Sequence, residues 1–365
     1  MFMIYPLLIG ILLSFLLIFK GRRKLRLDKI GLTTPNLSIV IPARNEESNL
    51  GKLLTSLKSC DYQNLEIIVA NDNSDDGTKS VAESYGAKCI DVPPLPKGWK
   101  GKTWACQNGA ESASGSLLLF LDADVVICKN GLKQILNTFL SSEAKIMSIG
   151  PYHRTQKIYE SLSSIFNLLT FISIGSFGIF GSARNYYGFF GPCLLVEKET
   201  YTKIGGHDSV KSEILENWSF GVKAKELNIP ALVISGKEAI DYRMYPDGYE
   251  ALRDGWSKAF VKGMQSVDKK IMICVVAWMS VGIMIFSHLI LGIVGVGSLE
   301  YAFFFYLVYA LSYHRMVSMV GKFRLTASLF YPIILFHFYF ILLRSSIMKR
   351  RGESILWKGR GVNEC

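Results

Sequence analysis

The sequence lacks the cysteine spacing of a metal-binding or disulfide-bonded scaffold. None of its seven cysteines forms a CxxC pair or another metal-ligand pattern, so we expect reduced thiols with structural roles. Charge is also scarce, because Asp, Glu, Lys and Arg make up 19% of a chain that is 50% hydrophobic. That composition excludes an ordinary soluble enzyme and favours a soluble domain held between hydrophobic ends.

The N-terminal apolar run, Phe2 to Phe19, has no basic region before it and no small-residue cleavage site after it. A secretory signal peptide is the alternative, but it would have both features, so we interpret residues 1–20 as a transmembrane anchor. At a rise of about 1.5 Å per residue, the run nearly spans a hydrocarbon core of about 30 Å. Basic residues crowd positions 20–26, which predicts that the following domain lies in the cytoplasm.

The formal net charge of +11 is concentrated beside the hydrophobic segments. It comes largely from positions 20–26 and from a basic tail that we place at 344–365. Basic clusters at the edges of membrane segments bind anionic lipid headgroups. We therefore expect a membrane partner and no nucleic acid.

The C-terminal region 271–343 contains three candidate membrane helices, Ile271–Val296, Tyr301–Tyr313 and Ala327–Leu343. Three spans would put the basic tail outside, against the positive-inside rule, so one of the two shorter segments is predicted to be re-entrant or interfacial. A further apolar stretch, 161–181, is interrupted by polar residues; we expect an interfacial helix there, with a membrane helix as the alternative. The pattern indicates a multi-pass membrane protein with a cytoplasmic tail.

The region between the hydrophobic ends alternates β-rich runs with helical segments. Strands are predicted at Leu37–Ile41, Leu65–Val69, Lys88–Val92 and Ser116–Leu121, and helices at Asn49–Lys58 and from Thr78 onward. This alternation predicts an α/β domain with a largely parallel sheet over residues 36–255. Its ligand site is expected at the carboxyl ends of the strands.

Polar residues follow three of these predicted strands. Arg44, Asn45 and Glu46 follow the first strand, Asp72 follows the second, and Asp122 and Asp124 follow the fourth. Asp and Asn also favour turns, so turn chemistry explains any single one of them equally well. Together they predict a site in one crevice.

Asp122, Ala123 and Asp124 place two carboxylates one residue apart at the end of an apolar strand. Such a pair suits a hard divalent cation, Mg²⁺ or Mn²⁺, which would hold both phosphates of a nucleotide diphosphate. Taken alone, the pattern also occurs in calcium loops and surface turns. The preceding strand and the other acidic residues favour a metal and diphosphate site here.

Three segments resemble family 2 inverting glycosyltransferases in order and spacing: residues 41–47 (Ile-Pro-Ala-Arg-Asn-Glu-Glu), 70–78 (Ala-Asn-Asp-Asn-Ser-Asp-Asp-Gly-Thr) and 121–124 (Leu-Asp-Ala-Asp). The resemblance covers Asn36 to about Arg253. It implies a GT-A fold with a Rossmann-like, mostly parallel sheet and a UDP-sugar donor. The donor contacts that it implies are Pro42, Ala43 and Arg44, then Glu46 and Asp72 for nucleobase and ribose, and Asp122, Ala123 and Asp124 for metal and diphosphate.

Residues 98–106 occupy the place of a Gly-Lys motif that this family carries ahead of a helix. Lys102 is then expected to pair with a donor phosphate at a helix N-terminus, where the helix dipole also favours anions. A solvated basic loop is the alternative.

Acceptor contacts are implied by matches at Gly191, Pro192 and Cys193, at 205–208 (Gly-Gly-His-Asp) and at 214–217 (Ile-Leu-Glu-Asn). The last of these aligns with a Glu-Asp motif, but Asn217 replaces the acid that usually acts as general base. An amide cannot take a proton from an alcohol. Either Glu216 is the base, or the acceptor is already an anion, as a carboxylic acid with a pKa near ~4 is at neutral pH.

Two aromatic side chains are further candidates on the acceptor side. Trp256 falls where lipid-acceptor members carry the Trp of a Gln-x-x-Arg-Trp motif, although Leu252 and Gly255 replace its polar positions. His207 lies in a glycine-rich turn. A structural role in packing is the alternative for both.

The chain as a whole resembles the family 2 enzymes of bacterial C30 carotenoid biosynthesis. The additional matches lie at 151–153 (Pro-Tyr-His), 165–168 (Ile-Phe-Asn-Leu), 243–245 (Arg-Met-Tyr) and 357–360 (Trp-Lys-Gly-Arg). This resemblance implies a bacterial cell-membrane enzyme that transfers glucose from UDP-glucose to the carboxylate of an apolar carotenoid acid similar to 4,4'-diaponeurosporenoate. A carboxylate acceptor agrees with the loss of an acid at Asn217.

Two other functions are compatible with the sequence. In the first, the acceptor is another membrane lipid, such as a polyprenyl phosphate, diacylglycerol, sphingolipid or hopanoid. An alcohol acceptor of this kind would make Glu216 the expected base. In the other, the chain is a membrane scaffold with a degenerate, non-catalytic domain. The sugar and the oligomeric state stay open.

Overall fold

The computed structural model describes residues 4–18, 25, 35–178, 186–213, 215–263, 268–351, 356–357 and 360–361. The predictions for most of the basic cluster at 20–26, for 179–181 and for most of the tail beyond 351 lie outside these residues. The chain divides into two compact units. The sheet unit contains 23–152, 188–242 and 354–365, and the helical unit contains 1–22, 153–187 and 243–353.

The strands are β1 Leu37–Ala43, β2 Leu65–Asn71, β3 Lys88–Asp91, β4 Leu117–Leu121, β5 Val125–Ile127, β6 Ile146–Gly150, β7 Tyr152–Arg154, β8 Cys193–Glu197, β9 Ala231–Ser235, β10 Ile240–Tyr242, β11 Gly321–Lys322, β12 Leu356–Trp357 and β13 Arg360–Gly361. The α-helices are α1 Ile4–Ile18, α2 Glu47–Lys58, α3 Thr78–Ser84, α4 Gly101–Glu111, α5 Gly131–Leu140, α6 Ser164–Ser173, α7 Lys198–Ile204, α8 Glu216–Glu226, α9 Tyr249–Gly263, α10 Lys269–Ile293, α11 Leu299–Val320, α12 Leu325–Leu329 and α13 Tyr331–Arg351. Two 3₁₀ helices, Ile158–Ser163 and His207–Val210, complete the described elements.

The sheet unit is built on seven strands in the order β3-β2-β1-β4-β8-β6-β9. β1 pairs in parallel with β2 and β4, β2 with β3, and β6 with β9. β8 is the exception, since it runs antiparallel to both β4 and β6. The largely parallel sheet and each of the four predicted strands are confirmed.

The sheet is covered on both faces, which explains why its strands read as nearly continuous apolar runs. All five residues of β4, Leu-Leu-Leu-Phe-Leu, are buried. On one face, α2 buries Leu50, Leu53, Leu54 and Leu57, which recur at the spacing of one helical side. The core therefore fixes the strand ends that carry the polar residues.

Helix α4 packs against β1 through a glycine, and this close approach gives a stability prediction. A Cβ at Gly109 would lie 2.4 Å from Val40 Cγ1. We expect Gly109→Ala to lower the free energy of unfolding by about 1–3 kcal/mol, because the added methyl forces apart two packed elements. Thermal unfolding of the detergent-solubilised protein measures the loss.

Gly51→Ala in α2 is the matched control. A Cβ there meets only Val81 Cγ1 at 3.8 Å and Tyr85 Oη at 4.0 Å, which are ordinary contacts. Because alanine is favoured over glycine inside a helix by about 1 kcal/mol, this substitution should preserve or raise stability. Equal losses from the two substitutions would contradict the packing explanation.

The helical unit is held together by hydrogen bonds from large buried side chains. Trp278 Nε1 in α10 donates to Ser14 Oγ in α1 at 2.9 Å, and the Tyr309 hydroxyl in α11 donates to Trp278 O at 2.9 Å. The Tyr331 hydroxyl in α13 donates to Gly282 O at 2.9 Å. Helices from both ends of the chain therefore form one bundle.

Two helices among the described residues have the length and hydropathy of a membrane span, Lys269–Ile293 and Tyr331–Met348. Large apolar side chains on them are exposed, for example Ile273 and Leu343. The predicted anchor forms α1, an apolar helix of 15 residues, which is shorter than the length of about 20 that a span requires. The predicted segment 301–313 lies inside α11, which is not one of the two.

The stretch 161–181 contains a short helix within the residues that the structure describes. Helix α6 is short and buries Ile165, Phe166, Leu168 and Phe171. Helix α6 packs against α11 and α13. It is therefore a packed helix of the helical unit, and its place at or in a bilayer stays a prediction.

The predicted catalytic domain, 36–255, contains two stretches that belong to the helical unit. These are 153–187 and 243–255. Phe166, from the first stretch, stacks on Trp256, which directly follows the second, with ring centroids 4.7 Å apart. Their apolar side chains contribute to the helical bundle.

Candidate active site

The carboxyl ends of three neighbouring strands lie at one edge of the sheet, because β2, β1 and β4 are adjacent and parallel. Pro42 and Ala43 are the last two residues of β1. Asp72 directly follows β2, and Asp122 directly follows β4. The structure thus brings the polar residues predicted at strand ends to a single edge.

The segments after β1 and β2 are joined to each other by hydrogen bonds. Asp72 N donates to Ala43 O at 2.8 Å, and Arg44 Nη1 donates to Asp72 O at 2.9 Å. Glu46 N donates to Thr78 Oγ1, the first residue of α3, at 2.8 Å. These bonds fix the positions of Arg44, Glu46 and Asp72 before any ligand binds.

The Asp-Ala-Asp segment directs its two carboxylates away from the core, because Ala123 between them is buried. Loss of water and the nearby carboxylates of Asp122 and Glu46 raise the pKa of the Asp124 carboxyl to about 7. Asp124 keeps an exposed surface, so the two like charges account for this direction better than burial does. The positive charge of Lys102 opposes this rise only in part.

Lys102 is the second residue of α4, and its ammonium lies between two carboxylates. Nζ is 2.7 Å from Asp122 Oδ1 and 2.8 Å from Glu216 Oε1. Burial opposes the charged form, yet the two carboxylates outweigh it and raise the pKa of Lys102 well above its ordinary value. The helix N-terminus predicted at Lys102 is confirmed, and the solvated basic loop is wrong.

The acceptor-side residues are joined to the Asp-Ala-Asp segment. Asn217 Nδ2 donates to Gly191 O at 2.6 Å, and Asp122 N donates to Pro192 O at 3.0 Å. Gly191 faces open space, since nothing lies within 4 Å of a Cβ built there. Glu216 begins α8 beside Asn217. Donor and acceptor candidates therefore share one hydrogen-bonded arrangement.

His207 is part of the core of the sheet unit. Its Nδ1 is 2.8 Å from Tyr201 Oη, and its ring packs edge-on against Phe120 at 4.8 Å between centroids. Burial lowers the pKa of His207 to about 3, so the ring is neutral at physiological pH. This placement supports the structural alternative and not an acceptor contact.

Trp256 is also packed, within the helical unit. Its Nε1 donates to Ser163 Oγ at 2.9 Å, and its ring stacks on Phe166. A Cβ at Gly255 would lie 2.1 Å from the Tyr245 ring, so the arginine of the family's motif has no space there. A contact between Trp256 and the acceptor stays a prediction.

Three ion pairs were missed by sequence reasoning. Lys102 was assigned to a phosphate, and its carboxylate partners come from segments far from it in the chain. In the helical unit, Arg243 Nε donates to the fully buried Glu160 at 3.1 Å. No short-range spacing signals any of these pairs, since each joins separate elements.

Comparison with known proteins defines the family. The model of Glycosyl transferase family 2 matches residues 38–200. The 4,4'-diaponeurosporenoate glycosyltransferases of Staphylococcus aureus strains MRSA252 and USA300 are each 33% identical, over 94% of this chain and 92% of their own. The chain belongs to glycosyl transferase family 2. This family 2 protein is therefore a hexosyltransferase enzyme.

A solved structure supports the GT-A fold of this family 2 glycosyltransferase. The mannosyltransferase PcManGT from Pyrobaculum calidifontis, in complex with GDP-Man and Mn²⁺, aligns with a TM-score of 0.54 over 95% of this chain and 99% of its own. At 14% identity the likeness shows the fold alone. The predicted GT-A α/β fold is confirmed.

The two carboxylates of Asp122 and Asp124 fit a divalent cation that is also held by a substrate. The described residues include no group of three or more His, Cys, Asp or Glu side chains that could hold a metal ion. Mg²⁺ is usually bound through one or two protein carboxylates and substrate phosphates. The charge repulsion that raises the Asp124 pKa would be relieved by such a cation.

Proposed function

We propose that this glycosyltransferase transfers glucose from UDP-glucose to the carboxylate of an apolar carotenoid acid, with inversion at the anomeric carbon. The names of the S. aureus relatives support this acceptor. The structural observation that carries the proposal is on the acceptor side, where Asn217 replaces an acid and Glu216 is ion-paired with Lys102. An acceptor that is already ionised needs no general base from either residue.

Under this proposal the donor binds along the edge formed by β2, β1 and β4. The nucleobase and ribose contact Glu46 and Asp72, beside the main chain of 42–44. Asp122 and Asp124, on either side of Ala123, would hold Mg²⁺ or Mn²⁺ beside the diphosphate. When bound, the cation supplies positive charge that stabilises the departing UDP.

The reaction then requires little proton transfer. An acceptor carboxylate oxygen forms a bond to the anomeric carbon while the bond to UDP breaks on the opposite face, and the electron pair leaves with UDP. Rate enhancement comes from positioning and from preorganised charge. Gly191 and Pro192 line the open side of the site, and Lys102 holds Asp122 and Glu216 in place.

We further propose that the enzyme is a multi-pass protein of a bacterial cell membrane, with its sheet unit in the cytoplasm. Two described helices have the length and hydropathy of membrane spans, and apolar side chains on them are exposed. A carotenoid acid dissolves in the bilayer, whereas UDP-glucose is soluble in water. An enzyme that joins them has to work at the interface.

Transfer by isolated membranes tests the proposed function. Membranes are incubated with labelled UDP-glucose or UDP-galactose and with a carotenoid acid or the matching alcohol, and the lipid extract is analysed by mass spectrometry. We expect a hexosyl ester from UDP-glucose and the acid, which mild alkali cleaves. A product that resists alkali would show an alcohol acceptor, and no product from any UDP-sugar would remove the donor assignment.

Metal removal gives a second prediction. We expect excess EDTA to lower the transfer rate by about a hundredfold or more, because charge on the departing UDP loses its stabilisation. Addition of Mn²⁺ or Mg²⁺ should restore the rate, and UDP binding measured by calorimetry should weaken in parallel. Undiminished transfer in EDTA would contradict a metal at Asp122 and Asp124.

A further inference from the structure

A single ammonium group connects the donor and acceptor sides of the site. Lys102 Nζ contacts Asp122 at 2.7 Å and Glu216 at 2.8 Å. Asp122 follows β4 and belongs to the proposed metal and diphosphate site, whereas Glu216 begins α8 beside Asn217. The Lys102 ammonium therefore balances one carboxylate on the donor side and one on the acceptor side.

The charge on Glu216 interacts strongly with nearby charges, because little water screens it. Its side chain is 8% exposed, and the interaction between charges grows as the surroundings become less polar. An anionic acceptor that approaches this side of the site would be repelled by an unpaired Glu216. Contact with Lys102 cancels that charge, and Asn217 adds none.

We propose that Lys102 determines which acceptor charge the site admits. By neutralising Glu216, it allows an anionic acceptor to approach the anomeric carbon. The inference rests on the proposed function and deepens it. It differs from the phosphate pairing expected at the helix N-terminus, which places Lys102 on the donor side alone. The two roles predict different changes in KM.

Steady-state kinetics with Lys102→Met separate the two roles. We expect the KM for the carotenoid acid to rise about tenfold or more, since two carboxylates lose their counter-charge, while the KM for the matching alcohol changes little. The double variant Lys102→Met, Glu216→Gln removes the repelling charge as well. It should recover most of the loss in the KM for the acid.

Lys102→Arg and Glu216→Gln are the conservative variants, and they serve if Lys102→Met does not fold. Arginine keeps the positive charge, so the KM for the acid should stay within about threefold of wild type. Glu216→Gln leaves Lys102 with one carboxylate, so the KM for the acid should fall or remain unchanged. The thermal unfolding midpoint of each variant verifies that it is folded.

Three results would overturn the inference. One is a rise in the donor KM alone in Lys102→Met, which would assign Lys102 to the phosphates. Another is a double variant that recovers nothing, and the third is a Glu216→Gln variant with a raised KM for the acid. If the wild-type enzyme transferred sugar to no carboxylate, the proposed function would fall together with the inference.

Discussion

Asparagine in place of Asp122 or Asp124 is expected to lower kcat by about a hundredfold or more, because the substitution removes a charge from the proposed metal and diphosphate site. Asp124→Asn is the cleaner test, since Asp122 also binds Lys102. Transfer assays give kcat, and titration with Mn²⁺ in the presence of UDP gives the metal affinity. We expect both to fall while the thermal unfolding midpoint is maintained.

Asp61→Asn is the matched control for this experiment. Asp61 is exposed between α2 and β2, at the opposite edge of the sheet, and should tolerate the same chemical change without loss of activity. Wild-type activity in both Asp122→Asn and Asp124→Asn would exclude this cluster from catalysis.

Glu216→Gln is expected to separate acceptors by their need for a base. Transfer to an alcohol should fall about a hundredfold or more, because a carboxylate that takes the hydroxyl proton contributes at least that much. Transfer to a carotenoid acid should keep a kcat within about tenfold of wild type, since its oxygen is already ionised. Parallel assays of the two acceptors with one enzyme preparation measure the ratio.

Glu226→Gln, at the exposed end of the same helix, should affect neither acceptor. An equal loss with both acceptors in Glu216→Gln would show that Glu216 holds Lys102 in place and takes no proton. No loss with either acceptor would remove Glu216 from the mechanism.

The sheet and its functional edge could be predicted from short stretches of sequence. β1, β2 and β4 are apolar runs that end in residues with turn chemistry, and burial on both faces produces such runs. Because parallel strands share an edge, the positions of Asp72 and Asp122 followed from the element order alone. The loss of an acid at Asn217 was also visible in the sequence.

Contacts between distant side chains could not be predicted in the same way. The pairing of Lys102 with Glu216 depends on how α4 and α8 lie in the sheet unit, which no local spacing records. His207 shows the same limit, because a glycine-rich turn can face solvent or the core. Only its contacts with Tyr201 and Phe120 decide between them.

The surroundings of the helix at 164–173 could not be predicted, for a different physical reason. Its apolar residues suit a lipid surface and a protein interior equally well, since both are low in polarity. Composition cannot tell one apolar neighbour from the other. The structure shows protein neighbours, because α6 packs against α11 and α13.

The bond between Trp278 and Ser14 joins residues 264 positions apart, and this has a consequence for biosynthesis. The first helix leaves the ribosome long before α10 exists, so it spends most of translation without its partner. Lipid or a chaperone has to cover its apolar side in that interval. All strands of the seven-stranded sheet emerge in between, so that sheet can form before the helical bundle is complete.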